Sequence, residues 1–275
     1  MQRIEAYKIW ILACALLMLF IIVVIRHEQV FLATGLRQPT TIADIAYDVR
    51  NGRADYRIFL KENGNFTPYL VLTANYNGSG NVLLLREHLL DQTVAFNYSP
   101  YGRNLWSGLD FGSYYPNSNI DTFLNTEFVS TLCEAVIAAM APSDIEVTDK
   151  GSIGVTGRTS NIITRYVFLL SLRELDGPRL NVSVPEGRAL RFFRNDFTRR
   201  TASFSNGMSS PYWTRTPETW NTSVVFTMGV QGIGAGVADL YTGVRPAFAM
   251  CRSTTITTST DIINGENVFV LDISG

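Results

Sequence analysis

The sequence predicts an α+β domain of short, mostly antiparallel strands with one main helix, preceded by an N-terminal transmembrane helix. Three features lead to this fold class: glycine-separated aromatic and β-branched runs near the C-terminus, apolar residues at helical spacing in the middle, and a long apolar run near the N-terminus. With 275 residues, of which 46% are hydrophobic, the chain is long enough to bury the core of one domain.

The N-terminal apolar run extends without interruption from Ile9 to Ile25 and is flanked by Lys8 and Arg26. At about 1.5 Å per residue, a helix of this length nearly spans a hydrocarbon core about 30 Å thick, so we expect a single membrane anchor. A cleaved signal peptide would need small residues after a shorter apolar region, whereas charged residues follow this run. A buried core helix is also disfavoured, because the run is apolar on every face.

The anchor divides the chain into three predicted parts: a membrane segment at 1–28, a stalk at 29–45 and a domain at 46–275. Positive charges are nearly balanced on the two sides of the span, so the positive-inside rule does not fix its orientation. We place the domain outside the cell because it is rich in Asn, Ser, Thr, Gly and Tyr and poor in Lys. The predicted location is therefore the cell membrane, with an extracellular C-terminal domain.

The domain opens with strand candidates at residues 56–60 and 68–73. A turn with the sequence Asn-Gly-Ser-Gly at residues 77–80 then leads into an apolar strand at 82–85. Asparagine and glycine adopt the backbone conformations that tight turns require, so the pattern predicts a β-hairpin.

One helical region follows. Ser118 and Asp121 have the spacing of a capping box, and Pro142 marks the end of the helical pattern. Between them the apolar residues recur three or four positions apart, which predicts a helix that packs on the sheet and that allows a kink. These residues are Ile120, Phe123, Leu124, Phe128, Leu132, Val136 and Met140.

The second half of the domain reads as strands joined by glycine-rich turns. Strands are predicted at residues 145–147, 166–170, 212–217, 224–229, 243–248 and 268–271, with a short helix or irregular segment at 188–193. The glycines at 229, 232, 234 and 236 are expected to supply positive φ angles between strands. Strand alternation and the helical stripe predict one shared core that contains Leu124, Phe128, Trp213, Val225, Phe226, Val244 and Phe248.

The same segments carry a family resemblance. The runs YWTRTP, VVFTMG and GVRPAF, together with the apolar pairs at 69–72 and 82–85, the helix signature from Tyr115 to Phe128 and the strand at 166–171, resemble a bacterial family of unknown function, DUF6273. The resemblance covers roughly residues 65–250. It implies a C-type-lectin-like or sulfatase-modifying-factor-like domain with a surface-exposed location, and it carries over no catalytic residues.

Charge and metal-ligand content exclude several function classes. A formal net charge of −1 without clustered lysines or arginines argues against a nucleic-acid partner. The cysteines at 14, 133 and 251 lie far apart, and the chain contains only two histidines, so we expect no metal site and no cofactor. Cys133 and Cys251 are interpreted as buried free thiols, with a disulfide between them as the alternative.

The candidate ligand site is the segment from 97 to 117, which is rich in Tyr, Ser, Gly and Asn. This composition resembles an antibody paratope and also suits stacking on sugar rings, and the contacts we expect are Tyr98, Tyr101, Arg103 and Trp106. The alternative is that the same aromatics form an Ω-loop that covers the core. Both interpretations stand equally at this point.

Arg215 is the remaining candidate. An arginine beside a tryptophan usually holds carbonyls or a carboxylate within the fold, and recognition of an anionic ligand is the alternative. No nucleophile motif and no paired carboxylates indicate catalysis. We therefore expect a membrane-anchored surface module that binds a carbohydrate or a protein. The alternatives are a divergent sulfatase-modifying-factor-like or cell-wall-modifying enzyme, and a structural subunit of a surface assembly.

Overall fold

The computed structural model describes residues 39–46, 57–98, 112–155, 158–175, 186–194, 196–263 and 266–271. Residues Thr40–Gly275 form one compact unit. The predicted anchor from Ile9 to Ile25 lies outside the described residues and stays a prediction. Within the described ranges, no helix combines the length and the apolar character that a membrane crossing requires.

Strands make up most of the regular secondary structure in the described chain. Their bounds are β1 Arg57–Glu62, β2 Asn65–Thr73, β3 Val82–Arg86, β4 Val94–Ala95, β5 Met140–Ala141, β6 Ser143–Thr148, β7 Ser160–Arg165, β8 Val167–Phe168, β9 Tyr212–Pro217, β10 Val224–Gly229, β11 Gly232–Val237, β12 Tyr241–Thr242, β13 Ala247–Met250, β14 Ile256–Ile263 and β15 Glu266–Leu271. The predicted short strands are confirmed, but the described chain is mostly β-sheet, with short helical pieces where one main helix was predicted.

The helical part consists of short pieces. These are α1 Asn119–Phe123, a π turn Leu124–Phe128, α2 Val129–Thr131 and α3 Glu134–Ala139, together with 3₁₀ turns at Ile42–Ile45, Tyr76–Gly78, Lys150–Ser152, Arg191–Phe193 and Thr198–Arg200.

The largest sheet has eight strands in the order β14-β15-β1-β2-β3-β13-β5, and β8 also pairs with β13. Among the described strands, β1 and β15 pair in parallel, and the other pairs of this sheet are antiparallel. The smaller sheets are β11-β10-β9, β12-β4 and β6-β7. The prediction of mostly antiparallel strands is therefore confirmed.

The helical region begins where the sequence predicts. The backbone N–H of Asp121 donates to Ser118 Oγ at 3.3 Å, which caps α1. The helix then widens into the π turn and continues as α2, which ends at Leu132, where the backbone is extended with a ψ of 143°. A separate helix, α3, follows. The side-chain amide of Asn125 bonds both backbone groups of Val167, at 2.9 and 3.1 Å, and so joins the helix to β8. The predicted kink is confirmed.

The glycine-rich stretch after β10 corrects one prediction. Residues 232–237 are not a turn but strand β11, which pairs with all of β10. Of the glycines that were expected at positive φ, Gly232 alone has one, at 103°. Gly234 and Gly236 serve a different purpose, because a Cβ on Gly236 would lie 2.8 Å from the Trp213 ring. Glycine therefore makes room here for a large neighbour.

Other strand predictions need smaller corrections. The strand expected at 243–248 begins at Ala247 and continues to Met250. Strands β4, β5, β7, β12 and β14 were not predicted, and the strand expected at 166–170 shortens to β8. Met140, predicted as the last residue of the helical stripe, lies in β5 instead. The expected shared core is confirmed, since all seven of its predicted members are buried in one hydrophobic cluster.

The last residues of the predicted stalk belong to the compact unit, which starts at Thr40. Ile42 and Ile45 are fully buried. The backbone N–H of Ile42 donates to the carbonyl of Thr254 at 2.9 Å, and Ile256 donates back to Thr40 at 3.0 Å. Residues 40–46 are thus part of the domain.

Two truncations test this boundary. A protein of residues 39–275 should fold. For a protein of residues 47–275, the free energy of unfolding should be about 2 kcal/mol smaller. The loss reflects the burial of two isoleucines, offset by the entropy of ordering the segment. Urea unfolding of the two soluble proteins measures the difference. Equal stability of both would show that residues 40–46 add nothing to the fold.

Candidate functional site

An exposed pair of tyrosines lies beside the predicted ligand segment. Strand β12 pairs antiparallel with β4, with Tyr241 opposite Ala95. This pairing brings the hydroxyls of Tyr98 and Tyr241 within 3.3 Å, with ring centroids 6.5 Å apart. The two side chains are 55% and 62% exposed. We call Tyr98 and Tyr241 the tyrosine pair.

The backbone that leads from β4 to Tyr98 has a rigid support. Phe96 is fully buried and packs edge-on against Trp213, with ring centroids 5.7 Å apart. The indole N–H of Trp213 donates to the carbonyl of Val94 at 2.9 Å, and this buried bond fixes β4 to the core. The tyrosine pair is therefore carried by the hydrophobic core rather than by a detached loop.

Helix α1 also holds this strand. The backbone N–H of Ile120 donates to the carbonyl of Phe96 at 3.0 Å, and the Asn119 side-chain amide donates to the carbonyl of Ala95 at 3.1 Å. These bonds satisfy the carbonyl groups of a two-residue strand that has few ladder partners of its own. As a result, the backbone leading to Tyr98 is fixed from two sides.

The two ends of the segment at 99–111 are held by the same part of the fold. On one side, Asn97 N–H donates to the Ala238 carbonyl at 2.9 Å. On the other, the N–H and Oγ of Ser113 both donate to the carbonyl of Thr222, at 2.9 and 2.6 Å. A Cβ on Gly112 would lie 3.5 Å from the Cβ of Ala238. The described residues on the two sides of this segment therefore both lie near Ala238.

Of the four ligand contacts predicted in this segment, one lies within the described residues and three lie outside them. Tyr98 is exposed at the surface beside Tyr241. Tyr101, Arg103 and Trp106 lie outside the described residues, so their contact roles stay predictions. The choice between a ligand-binding loop and an Ω-loop cover stays open with them.

The protonation state of the Tyr98 hydroxyl follows from its contact with Tyr241. Its hydrogen bond with Tyr241 raises the pKa of Tyr98 above its ordinary value. The hydroxyl therefore keeps its proton at neutral pH and can both donate and accept hydrogen bonds. Such groups suit recognition of hydroxyl-bearing ligands.

Arg215, the other predicted ligand residue, lies in the interior. Its guanidinium pairs with the carboxylate of Glu174 at 2.6 and 3.0 Å, and both side chains are 0% exposed. The remaining donors reach the carbonyls of Glu146 at 2.9 Å, Leu169 at 2.8 Å and Glu186 at 3.5 Å. Although burial opposes its charge, Glu174 keeps the pKa of Arg215 above its ordinary value.

This geometry assigns Arg215 the structural role that the sequence analysis favoured. Every nitrogen of its guanidinium already donates to an acceptor of the protein, and none of the side chain faces solvent. An external anion therefore has no donor of Arg215 to bind. The predicted ligand contact at Arg215 is corrected to a buried ion pair that joins β9 to the loop around Glu174.

A second carboxylate lies beside this ion pair. Glu186 is 1% exposed and accepts hydrogen bonds from the N–H and hydroxyl of Thr148, at 2.8 and 2.7 Å, and from the hydroxyl of Thr216 at 2.5 Å. Burial raises the pKa of Glu186, although the charge of Arg215 and these hydrogen bonds oppose the rise. The cluster therefore satisfies two buried carboxylates with one guanidinium and several hydroxyls.

Sequence reasoning missed Tyr241. Its partner Tyr98 is 143 residues away, and only the β4–β12 pairing joins them. The local signal was an exposed aromatic after a glycine-rich strand, which is too common to indicate a site. Long-range strand pairing of this kind is not encoded in any local pattern.

The cysteine interpretation is half right. Cys133 and Cys251 are free thiols, but Cys251 is exposed and Cys133 is only partly buried. Within the described residues, no group of three or more His, Cys, Asp or Glu side chains is placed to hold a metal ion.

A family model described as a domain of unknown function (DUF6273) matches residues 79–251, which is more than half of the chain. The chain belongs to this family. The DUF6273 match includes β3 to β13, and therefore the tyrosine pair and the Arg215–Glu174 ion pair. It omits β1, β2, β14 and β15, so the strand at 69–72 is not part of the matched domain. No curated protein and no solved structure matches the chain.

Proposed function

We propose that this chain is a membrane-anchored binding module that displays its DUF6273 domain at a bacterial cell surface and holds a carbohydrate ligand at the tyrosine pair. The observation that carries the proposal is the exposed pair itself. Two aromatic rings are exposed to solvent, one on β12 and one just beyond β4, whose backbone is fixed by the core and by α1. A protein ligand is the competing occupant.

The chemistry of the pair favours sugars. A tyrosine ring offers a flat apolar face for the C–H face of a pyranose and a hydroxyl at its edge for hydrogen bonds. The rings of Tyr98 and Tyr241 meet at 58°, so together they form an angled surface rather than a single plane. An angled surface contacts two sides of one sugar unit.

The location also supports binding. The segment at 99–111 starts one residue after Tyr98 and returns near Ala238, close to β12. Loops that leave and re-enter a rigid scaffold at one place are where proteins concentrate binding residues. Tyr101, Arg103 and Trp106 would extend the surface of the tyrosine pair. We also assign the domain to the C-type-lectin-like class, a proposal that the mostly antiparallel strands support.

A glycan-array screen of the full chain in nonionic detergent tests the proposal. We expect Tyr98→Ala and Tyr241→Ala to weaken binding to any glycan found by about tenfold or more, the equivalent of one lost stacking contact. The melting temperature should change by no more than a few degrees, because both side chains are exposed.

The matched control is Phe66→Ala, which removes another exposed aromatic, on strand β2 outside the DUF6273 match. Phe66→Ala should leave glycan binding unchanged. If both tyrosine variants bound glycans as the parent does, the site would lie elsewhere. If the array were empty and a protein partner depended on the tyrosines, the ligand would be a protein.

A further inference from the structure

A small pocket opens where the start of β1, the end of β3 and the turn at residues 198–203 meet. Its volume is about 270 Å³. Most of its lining is polar: hydroxyls from Thr198, Thr201, Ser203 and Ser209, the imidazole of His88, and the charged groups of Arg57, Arg199, Arg245 and Glu87. We propose that this pocket is a binding site for an oxyanion carried by a small polar molecule, such as a phosphate or sulfate ester or a sugar carboxylate.

The charge of the lining favours an anion. Three guanidinium groups line the pocket, against the single carboxylate of Glu87. That carboxylate is held by Arg57 in a two-pronged contact of 2.5 and 2.6 Å. Arg57 is thus paired with Glu87 and Arg199 with Asp196, so the positive charge that no carboxylate of the described residues offsets is that of Arg245.

Arg245 gives the strongest indication of a missing anion. It is 2% exposed, yet no carboxylate in the described part of the chain pairs with it. Arg86 and Arg215 are buried to a similar degree, and each has a glutamate partner, Glu62 and Glu174. A buried cation without a counter-charge is costly, so an anion in the pocket would stabilise Arg245.

The long hydrogen bonds of Arg245 to backbone carbonyls can be replaced by bonds to a bound anion. Its Nε donates to the Arg86 carbonyl at 3.0 Å, which fixes the plane of the guanidinium, and the group lies over the ring of Tyr212 at 5.6 Å. Its Nη1 reaches the carbonyls of Arg199 and Thr201 only at 3.5 and 3.4 Å. Bonds of this length are weak, and an anionic oxygen forms shorter and stronger ones.

Arg199 is positioned as the second contact. Its guanidinium lies 4.9 Å from the centre of the Phe192 ring, and its Nη1 donates to the Phe192 carbonyl at 3.2 Å. Its Nε pairs with Asp196 at 3.0 Å, and Asp196 does not line the pocket. These contacts fix the Arg199 side chain in the pocket lining, so a ligand does not have to order it.

The size of the pocket limits the ligand. Sites for drug-sized molecules occupy about 300–1,000 Å³, so a volume of about 270 Å³ fits one oxyanion or one monosaccharide unit. The hydroxyls of Ser203 and Ser209 would donate to the oxyanion. Those of Thr198 and Thr201 already donate to Asp196 Oδ1 and to the Thr198 carbonyl, so they would accept from a ligand hydroxyl. This inference is independent of the tyrosine pair, since no residue is shared between the two sites.

Isothermal titration of the full chain, in nonionic detergent and a phosphate-free buffer of low ionic strength, tests the proposal. The probes are inorganic phosphate, inorganic sulfate and glucuronate, with glucose as the neutral control. We expect saturable binding of at least one anion, weakened by added sodium chloride, and no binding of glucose. Preference for phosphate or sulfate indicates an ester, and preference for glucuronate indicates a sugar acid.

Variants locate the bound anion. Arg199→Gln should weaken binding by about tenfold or more, because it removes a charged hydrogen-bond donor. The matched control Arg252→Gln, at an exposed arginine outside the pocket, should bind as the parent does. Tyr98→Ala should also leave anion binding unchanged, whatever its effect on glycans. Absence of saturable binding for every anion, or equal losses in Arg199→Gln and Arg252→Gln, would overturn the proposal.

Discussion

Replacing Arg215 by methionine is expected to lower the free energy of unfolding by about 3–5 kcal/mol, because the change leaves the Glu174 carboxylate buried without its counter-charge. The two side chains are both 0% exposed and lie 2.6 Å apart. Glu174 would keep the hydrogen bond from the Tyr76 hydroxyl at 2.7 Å and that from the Ser171 N–H at 2.9 Å, but no cation. Urea unfolding, followed by tryptophan fluorescence, measures the loss.

The double variant Arg215→Met with Glu174→Gln separates the ion pair from other causes of instability. Removing both charges should recover about half of the loss, because no unpaired charge stays buried. Arg57→Met is the matched control, since the Arg57–Glu87 pair has side chains 49% and 20% exposed. We expect that variant to lose no more than about 1 kcal/mol. Equal losses in the Arg57 and Arg215 variants would contradict a special role for the buried pair.

The elements that the sequence predicted correctly depend on local rules. The turn at residues 77–80 has three residues at positive φ, Asn77, Gly78 and Gly80, which are residue types that tolerate this conformation. Helix α1 begins at the Ser118 cap, and its apolar stripe lies in the core. In each case neighbouring residues alone determine the conformation, so no knowledge of the tertiary fold was needed.

The strands that were not predicted lack the local patterns on which these rules depend. Strand β14 is mostly exposed and threonine-rich, and its burial does not alternate, so its apolar pattern is weak. Strand β11 consists of small residues, and its glycines resembled turn residues because the sequence does not show what lies above them. In both strands the pairing partner, rather than the local sequence, sets the conformation.

The site residues were harder to predict than the fold. Tyr98 was identified from composition, but Tyr241 depends on a pairing of distant strands. The partner of Arg215, Glu174, comes from a loop 41 residues away in the chain, and nothing in the sequence links the two. An arginine in an apolar context therefore fits either a ligand site or a buried pair, and only the tertiary fold decides between them.

The second large effect is expected at Trp213, whose truncation to alanine should cost about 3–5 kcal/mol. The ring is 1% exposed, packs against Phe96 and bonds the carbonyl of Val94. It also extends across β10 to β11, where a Cβ on Gly236 would lie 2.8 Å from Cη2 and 2.9 Å from Cζ3. Tryptophan at 213 and glycine at 236 therefore depend on each other.

A double-mutant cycle tests this dependence. Gly236→Ala alone should destabilise the protein by about 1–3 kcal/mol, because the added methyl displaces the indole. In the Trp213→Ala background the same change should cost much less, since the ring that it would meet is gone. Gly151→Ala is the control, because a Cβ there would lie 3.7 Å from its nearest neighbour, Oδ2 of Asp149, which is ordinary van der Waals contact. Additive losses at 213 and 236 would show that the glycine is required for another reason, such as the backbone of β11, and that the contact with the ring is incidental.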